Sequence, residues 1–385
     1  MVSYNKINGF HVGIPSYSQG IGNWLQLMVQ NGIPFTAKAV DNTGSLMDAQ
    51  PLIQAGNKGY AIWRNYNING QEQGDNPNYQ NTPAQEADRY WQSAITMYPP
   101  ELDKETVWIE LINEPDKNKA DWLGEVAFLL GQKALAAGYK LLCFGWSSGE
   151  PEPADWLTNG MRKYLSLCSS NPDKLGISVH EYQFDVTKTL MDNYPWQIGR
   201  YQNIHRACDT FGFNYPTIFL TEFGWSYQQI PPTQSAIEQI ITARDVYAPS
   251  NVKGASIWAL DSASGWGNIA QQVHELMWLD GVTGGTSPLY QAIRDYPITT
   301  PPPPTKHKAI VVKLPQEATA SDWNTMTAYA YQYKHTLTAS HDDALYILKS
   351  GNNESYAKIY KPSLPSQQGF IALLNEDNIG WVAVG

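Results

Sequence analysis

The chain has 385 residues, 42% hydrophobic and 16% charged, which is enough apolar side chain for one large domain and a small one and excludes a disordered chain. With 26 Lys+Arg against 36 Asp+Glu, the net charge of -10 lacks the basic footprint that a polyphosphate backbone requires, so nucleic acid is excluded as a partner. No apolar run approaches the roughly 18 residues of a membrane span, and the opening MVSYNKINGFHVGIPS shows no basic-then-apolar leader, so neither a span nor a signal peptide is expected.

Short apolar runs alternate along the chain with amphipathic stretches. The strand candidates are GFHVGIP (9–15), PFTAKAV (34–40), YAIWRNY (60–66), TVWIELINE (106–114), KLLCFGW (140–146), LGISVHEY (175–182), TIFLTEFGW (217–225) and VKGASIWAL (252–260). Each is rich in β-branched or aromatic residues and too short for a helix. Helical patterns lie between them; in ADWLGEVAFLLGQKALAAG the residues Trp122, Val126, Leu129 and Ala136 are expected on one buried face, with Gly138 as a left-handed stop. The spacing suits crossover helices, so the sheet should be parallel. Eight such units fit an α/β fold of the (β/α)8 TIM barrel type better than an open doubly wound sheet, whose Gly-rich phosphate loop is missing. Cys143, Cys168 and Cys208 are odd in number and widely spaced, which reads as neither a disulfide framework nor a zinc ribbon.

The expected catalytic domain spans 1–296. The segment 297–306, PITTPPPPTK, reads as a semi-rigid proline linker. Residues 307–385 then form a small C-terminal domain. AIVVKLP, SYAKIY and IGWVAVG are strand candidates. SDWNTMTAYAY carries Trp323, Met326, Tyr329 and Tyr333 at helical spacing, SQQGFIALLNED is helical, and SHDDALYILKSG is a helix capped by Ser340 and stopped by Gly351. The favoured reading is a small α/β unit; an SH3-like wall-binding module is the alternative, from LKSGNNESYAKIY and GWVAV.

Two carboxylates carry the chemistry. Asn113-Glu114-Pro115 ends the fourth strand candidate and Thr221-Glu222-Phe223-Gly224 ends the seventh, so in a barrel both reach the catalytic mouth. Glycoside hydrolysis needs such a pair, one acid to protonate the leaving oxygen and one carboxylate to act at the anomeric carbon. WIELINEP and LTEFGW resemble the clan A glycoside hydrolases over about residues 7–296. That resemblance implies a retaining hydrolase of poly- or oligosaccharides, with Glu114 as acid/base and Glu222 as nucleophile. The alternative is a non-catalytic glycan-binding or assembly protein on the same barrel. A retaining pair is expected about 5 to 5.5 Å apart.

Around the pair, Tyr182 is placed to donate to the nucleophile carboxylate, His180 to contact sugar or the acid/base, and Asn113 to bind the 2-hydroxyl of the cleaved sugar. Trp258 resembles the clan's sugar platform. Trp146, Trp225 and Arg64 complete the substrate-binding set, Arg64 also as a buried partner for Glu110, whereas Trp63 and Trp108 read as core. Gly145-Trp146-Ser147-Ser148-Gly149 satisfies GxSxG, but Pro151 and Pro153 follow where a nucleophile elbow needs a helix. His180-Glu181 and His274-Glu275 begin like a zinc helix, but Phe184 and Trp278 occupy the second histidine position, so neither metal nor cofactor is expected. The C-terminal domain is expected either to bind a wall polymer, substrate or partner or to pack on the barrel. Location is left open among a secreted enzyme trimmed of its leader, a cytoplasmic enzyme and a phage-type lysin.

Overall fold

The computed structural model describes residues 3–13, 19–66, 77–225, 229–260, 269–279, 284–298, 310–333, 335–350 and 355–384. The chain divides into two compact units, Met1–Thr300 and Pro301–Gly385. In the first, strands β1 (Ile7–Val12), β2 (Phe35–Val40), β3 (Gly59–Arg64), β4 (Val107–Leu111), β5 (Lys140–Trp146), β6 (Leu175–Gln183), β7 (Thr217–Trp225) and β8 (Val252–Ile257) each pair in parallel with the next, and β8 pairs back onto β1. The result is a (β/α)8 TIM barrel. An antiparallel bridge between Ser3 and Ile298 joins the two ends of this unit.

Helices α1 (Ile21–Gln30), α2 (Gly44–Gln54), α3 (Pro83–Met97), α4 (Ala120–Ala137), α5 (Asn159–Ser170), α6 (Tyr201–Phe211), α7 (Thr233–Ala243), α8 (Ile269–Met277) and α9 (Pro288–Asp295) belong to the first unit. Their starts and stops follow local chemistry. α3 opens on a capping box between Thr82 and Gln85 with Pro83 in its first turn, and α4 ends at Gly138 with φ 81°. The buried stripe of α4 differs from the expected one: Leu123, Val126, Ala127, Leu130 and Ala134 are buried, while Trp122 and Leu129 are half-buried and Ala136 is exposed. The cause is a close crossing on α5, where a Cβ at Gly124 would fall 2.2 Å from the Gly160 carbonyl carbon. That approach turns the helix toward its neighbour.

Alternation along the strands places the polar side chains. Ile62 pairs with Trp108 and Arg64 with Glu110 across β3 and β4, so these four share the inner face, and Lys38 on β2 is in register with Ile62. Ile62, Trp108, Leu142 and Phe219 form an apolar layer, and above it, toward the strand C-termini, the inner positions are charged.

In the second unit, β9 (Ile310–Lys313), α10 (Ala320–Tyr333), β10 (Thr336–Thr338), α11 (His341–Ser350), β11 (Tyr356–Tyr360), α12 (Pro365–Glu376) and β12 (Gly380–Val384) alternate, and the parallel sheet runs β10-β9-β11-β12. Val311, Ala357 and Ile359 pack with Ala344, Leu348 and Phe370 on one side, and Val312 and Leu314 pack with Met326 and Ala330 on the other. This corrects the SH3-like alternative, because parallel strands need the crossover helices seen here. Ser340 caps α11 as expected, accepting from the Asp343 amide at 3.2 Å. The three-residue β10 was not anticipated. Gly351 and the linker residues 299–306 lie outside the described residues.

Candidate active site

Strand β4 ends at Leu111, and the chain leaves it through Ile112 and Glu114 with φ of 64° and 42°. A positive φ is a genuine outlier for a β-branched residue, and such strain costs on the order of 1–3 kcal/mol per residue. The Glu114 amide donates to the Gly145 carbonyl at 3.0 Å, which pins the turned segment against β5. The Glu114 side chain stays 38% exposed, and its Oε1 meets His180 Nδ1 at 3.1 Å.

Glu222 comes from the inner face of β7 and is only 10% exposed at its side chain. Tyr182 donates its hydroxyl to Oε2 at 2.7 Å, with His180 Nδ1 at 3.5 Å from the same oxygen. Arg64 donates to Oε1 at 3.1 Å, and Lys38 Nζ stands 3.5 Å and His11 Nε2 3.6 Å from it. Burial pushes the Glu222 carboxyl up, but the charges of His180, Lys38 and Arg64 more than reverse this and hold it well below the ordinary carboxylate range. Burial, reinforced by the Lys38 charge, keeps His11 well below the usual imidazole value.

Behind this oxygen, Lys38 Nζ lies 2.6 Å from Glu110 Oε2, both side chains fully buried. Burial would raise the Glu110 carboxyl, yet Lys38 first and Arg64 next bring it down to about 2. The close partner of Glu110 is thus Lys38, which the sequence reading did not name. Arg64 also donates to Asn113 Oδ1.

The structure therefore brings together Glu114, Glu222, Asn113, His180, Tyr182 and Arg64. Trp258 joins them, its ring edge-on to that of Tyr182 at 6.3 Å between centroids. Trp146 and Trp225 do not, and their assignment as sugar contacts is corrected. Trp225 is buried with its Nε1 on Gln239 Oε1 at 2.9 Å; three residues beyond the inward Glu222, it faces outward. Trp146 is buried against Phe144 and Trp156, because β5 changes register between Cys143 and Trp146. Trp63 and Trp108 are core, as expected.

Besides Lys38 and His11, the sequence reading missed Gly145. It has φ 43°, and a Cβ there would sit 2.9 Å from Asn113 Oδ1 and 3.0 Å from His180 Nε2. A charged or imidazole side chain inside an apolar strand, in step with a known inward residue, was the available signal for the first two. On the outer face of β6, between His180 and Tyr182, Glu181 is also fully buried. It accepts from the amides of Gly199 at 2.6 Å and Arg200 at 2.8 Å and from the Tyr247 hydroxyl, and burial raises it to about 7.

One donor atom each from Glu114, His180 and Glu222 lie within 4.8 Å of one another. That spacing suits a metal ion or a proton-transfer pair. Positive charge from Arg64 and Lys38 already faces Glu222, which opposes a cation there and favours the second use.

No family model and no curated relative matches the chain. Solved structures give a distant likeness to glycoside hydrolases. A GH5_18 from Bifidobacterium longum subsp. infantis is 11% identical, with 96% of this chain and 100% of that one covered and a TM-score of 0.47. A glycoside hydrolase family 5 enzyme from Prevotella bryantii B14 is 11% identical, covering 68% and 93%, with a TM-score of 0.40. An endo-beta-1,4-glucanase from Xanthomonas axonopodis pv. citri is 14% identical, covering 66% and 88%, with a TM-score of 0.39. Likeness at this level concerns the fold alone.

Proposed function

We propose that the chain is a retaining glycoside hydrolase acting on a poly- or oligosaccharide, with Glu222 as nucleophile and Glu114 as acid/base. The observation that carries this reading is the carboxylate pair at the ends of β4 and β7, with one oxygen of each and His180 all within 4.8 Å. The two carboxyl groups of an inverting pair stand about 6.5 to 9.5 Å apart to admit a water and those of a retaining pair about 5 to 5.5 Å, and an approach of single oxygens within 4.8 Å supports the closer arrangement.

The environments divide the roles. Glu222, buried and ringed by positive charge, is kept ionised for attack on the anomeric carbon. Glu114, partly exposed beside His180, gives its proton to the leaving oxygen as the glycosidic bond breaks. It then takes a proton from the water that cleaves the glycosyl ester on Glu222 and releases the sugar. Arg64 binds Asn113 Oδ1, which orients the amide so that Nδ2 faces a 2-hydroxyl, and Trp258 offers a ring face. Domain 1–296 would carry this chemistry, and 307–385 would serve as an accessory unit for polymer binding or support.

The test is hydrolysis of a panel of aryl glycosides and soluble polysaccharides, with the product anomer followed by NMR. Retention of configuration, lost in Glu222→Gln, is expected. Inversion overturns the retaining assignment, and saccharide binding without turnover replaces the hydrolase by the glycan-binding alternative.

A further inference from the structure

The end of the barrel opposite the carboxylate pair holds a concavity. A cavity of about 610 Å³ opens at the foot of β8, β1, β2 and β3, lined by Lys6, Lys58, Lys253, Tyr60, Asn8 and neighbouring backbone. Its floor is internally satisfied: Thr36 donates to Asn8 Oδ1 at 3.0 Å, and Asn8 Nδ2 donates to the Pro34 carbonyl at 3.1 Å. This plug fits because Gly254 has no side chain, since a Cβ there would fall 1.9 Å from Thr36 Oγ1.

The walls differ from the floor. Among the described residues lining the cavity there are three lysines and no carboxylate. Among the described residues the Lys253 ammonium donates only to the Ser250 carbonyl, at 3.1 Å, and neither the Lys6 nor the Lys58 ammonium has a hydrogen-bond or ion-pair partner. In a chain of net charge -10, three ammonium groups gathered with no carboxylate in ion-pair contact among the described residues, Asp173 acting on Lys253 only from beyond that range, are an unfavourable arrangement that an anion would relieve.

We propose that this cavity binds a small dianion of phosphate or sulfate type, free or esterified to a sugar-sized body. Two positive charges balance such a group, and the volume lies within the usual range of small-molecule sites, about 300–1,000 Å³. Lys6 is pushed below the usual amine value by burial and then by the charges of Lys253 and Lys58, and Lys253 by burial, with Asp173 acting the other way. A bound dianion reverses that repulsion, so binding takes up protons and weakens at high pH. Burial raises the Tyr60 phenol, with Asp173 adding to it, so the hydroxyl keeps its proton as a neutral donor.

The experiment uses the full chain in calorimetric titration and thermal melting. Inorganic phosphate, sulfate and a hexose phosphate are compared with sodium chloride at matched ionic strength. Saturable binding of the dianions, at least tenfold weaker in Lys6→Gln/Lys253→Gln and restored in Lys6→Arg/Lys253→Arg, is expected. Preference for the hexose phosphate over the inorganic ions assigns the esterified form, and equal affinity the free ion. A melting temperature that follows ionic strength alone, or undiminished binding in the Gln variant, overturns the proposal. If the Gln variant does not fold, acetylation of wild-type Lys6 and Lys253 decides the matter. Protection by saturating phosphate supports the site, and unchanged labelling refutes it.

Discussion

The Tyr182 hydroxyl donates to Oε2 of Glu222 at 2.7 Å, on the carboxylate oxygen away from the one that Arg64 approaches at 3.1 Å. Each oxygen of the proposed nucleophile therefore has its own donor. A hydrogen bond to a charged group contributes about 1.5–3 kcal/mol, equivalent to about one to two decades in rate or one to two pKa units. Tyr182→Phe should lower kcat about 10- to 100-fold and move the acidic limb of the pH-rate profile upward, with far-UV circular dichroism unchanged. An unaltered acidic limb would separate Tyr182 from the ionisation of Glu222.

Lys38 and Glu110 make a buried pair whose members are unequal to remove. Lys38→Met leaves the Glu110 charge in a dry site and should cost about 3–5 kcal/mol in urea unfolding, whereas Lys38→Met/Glu110→Leu should recover much of that loss. The folded-state value of Glu110, about 2, lies below its unfolded value. Its contribution is therefore present above the ordinary carboxylate range and is lost as pH falls toward about 2. A double variant no more stable than Lys38→Met would contradict this account.

Gly145 is held to hydrogen by two constraints at once, its φ of 43° and the crowding by Asn113 and His180. The backbone term alone is about 1–2 kcal/mol for Gly145→Ala. The added methyl must also displace one of those side chains, so activity should fall at least tenfold while the protein remains folded. Thermal melting and kcat/KM measured on the same preparation test this. Full activity would mean that neither neighbour needs its present position.

Glu181 has the opposite linkage to Glu110. Its folded value, about 7, is raised, so ionisation opposes the native state and stability declines as pH rises from the unfolded value near 4.5 to about 7. His205 is lowered to about 4, mainly by burial, and buried His11 is lowered too; both act in the other sense below their unfolded value of about 6.5. The informative quantity is therefore the difference between wild type and Glu181→Gln. The wild type should lose about 3 kcal/mol relative to the variant between pH 4.5 and 7. Parallel stability curves would show that Glu181 does not titrate in that window.

The barrel was legible because its strands are buried on both faces and read as continuous apolar runs, which β5 and β7 match residue for residue. Departures have local causes. β4 stops at Leu111 because Ile112 turns to positive φ, and β10 is three residues of Thr-Leu-Thr, too short for any periodicity. Glu114 and Glu222 were legible as strand-ending motifs. Trp225 was placed wrongly although alternation from Glu222 already sends it outward, and Trp146 was hidden by a register change that sequence does not record. Lys38 was missed because its meaning lies across strands. Its partner is two strands away in the barrel and 72 positions along the chain, between residues 38 and 110.

The bridge between Ser3 and Ile298 sets the two ends of the first unit side by side. With adjacent ends, a cycle of eight strands becomes a ring in which the order of pairing has no privileged starting point. A short link across that bridge and a cut in an exposed turn elsewhere would leave every strand neighbour unchanged, so circular permutants of residues 3–298 should be accessible. Cooperativity then resides in closure of the ring, to which the β8–β1 pairing contributes although no chain connection joins those two strands.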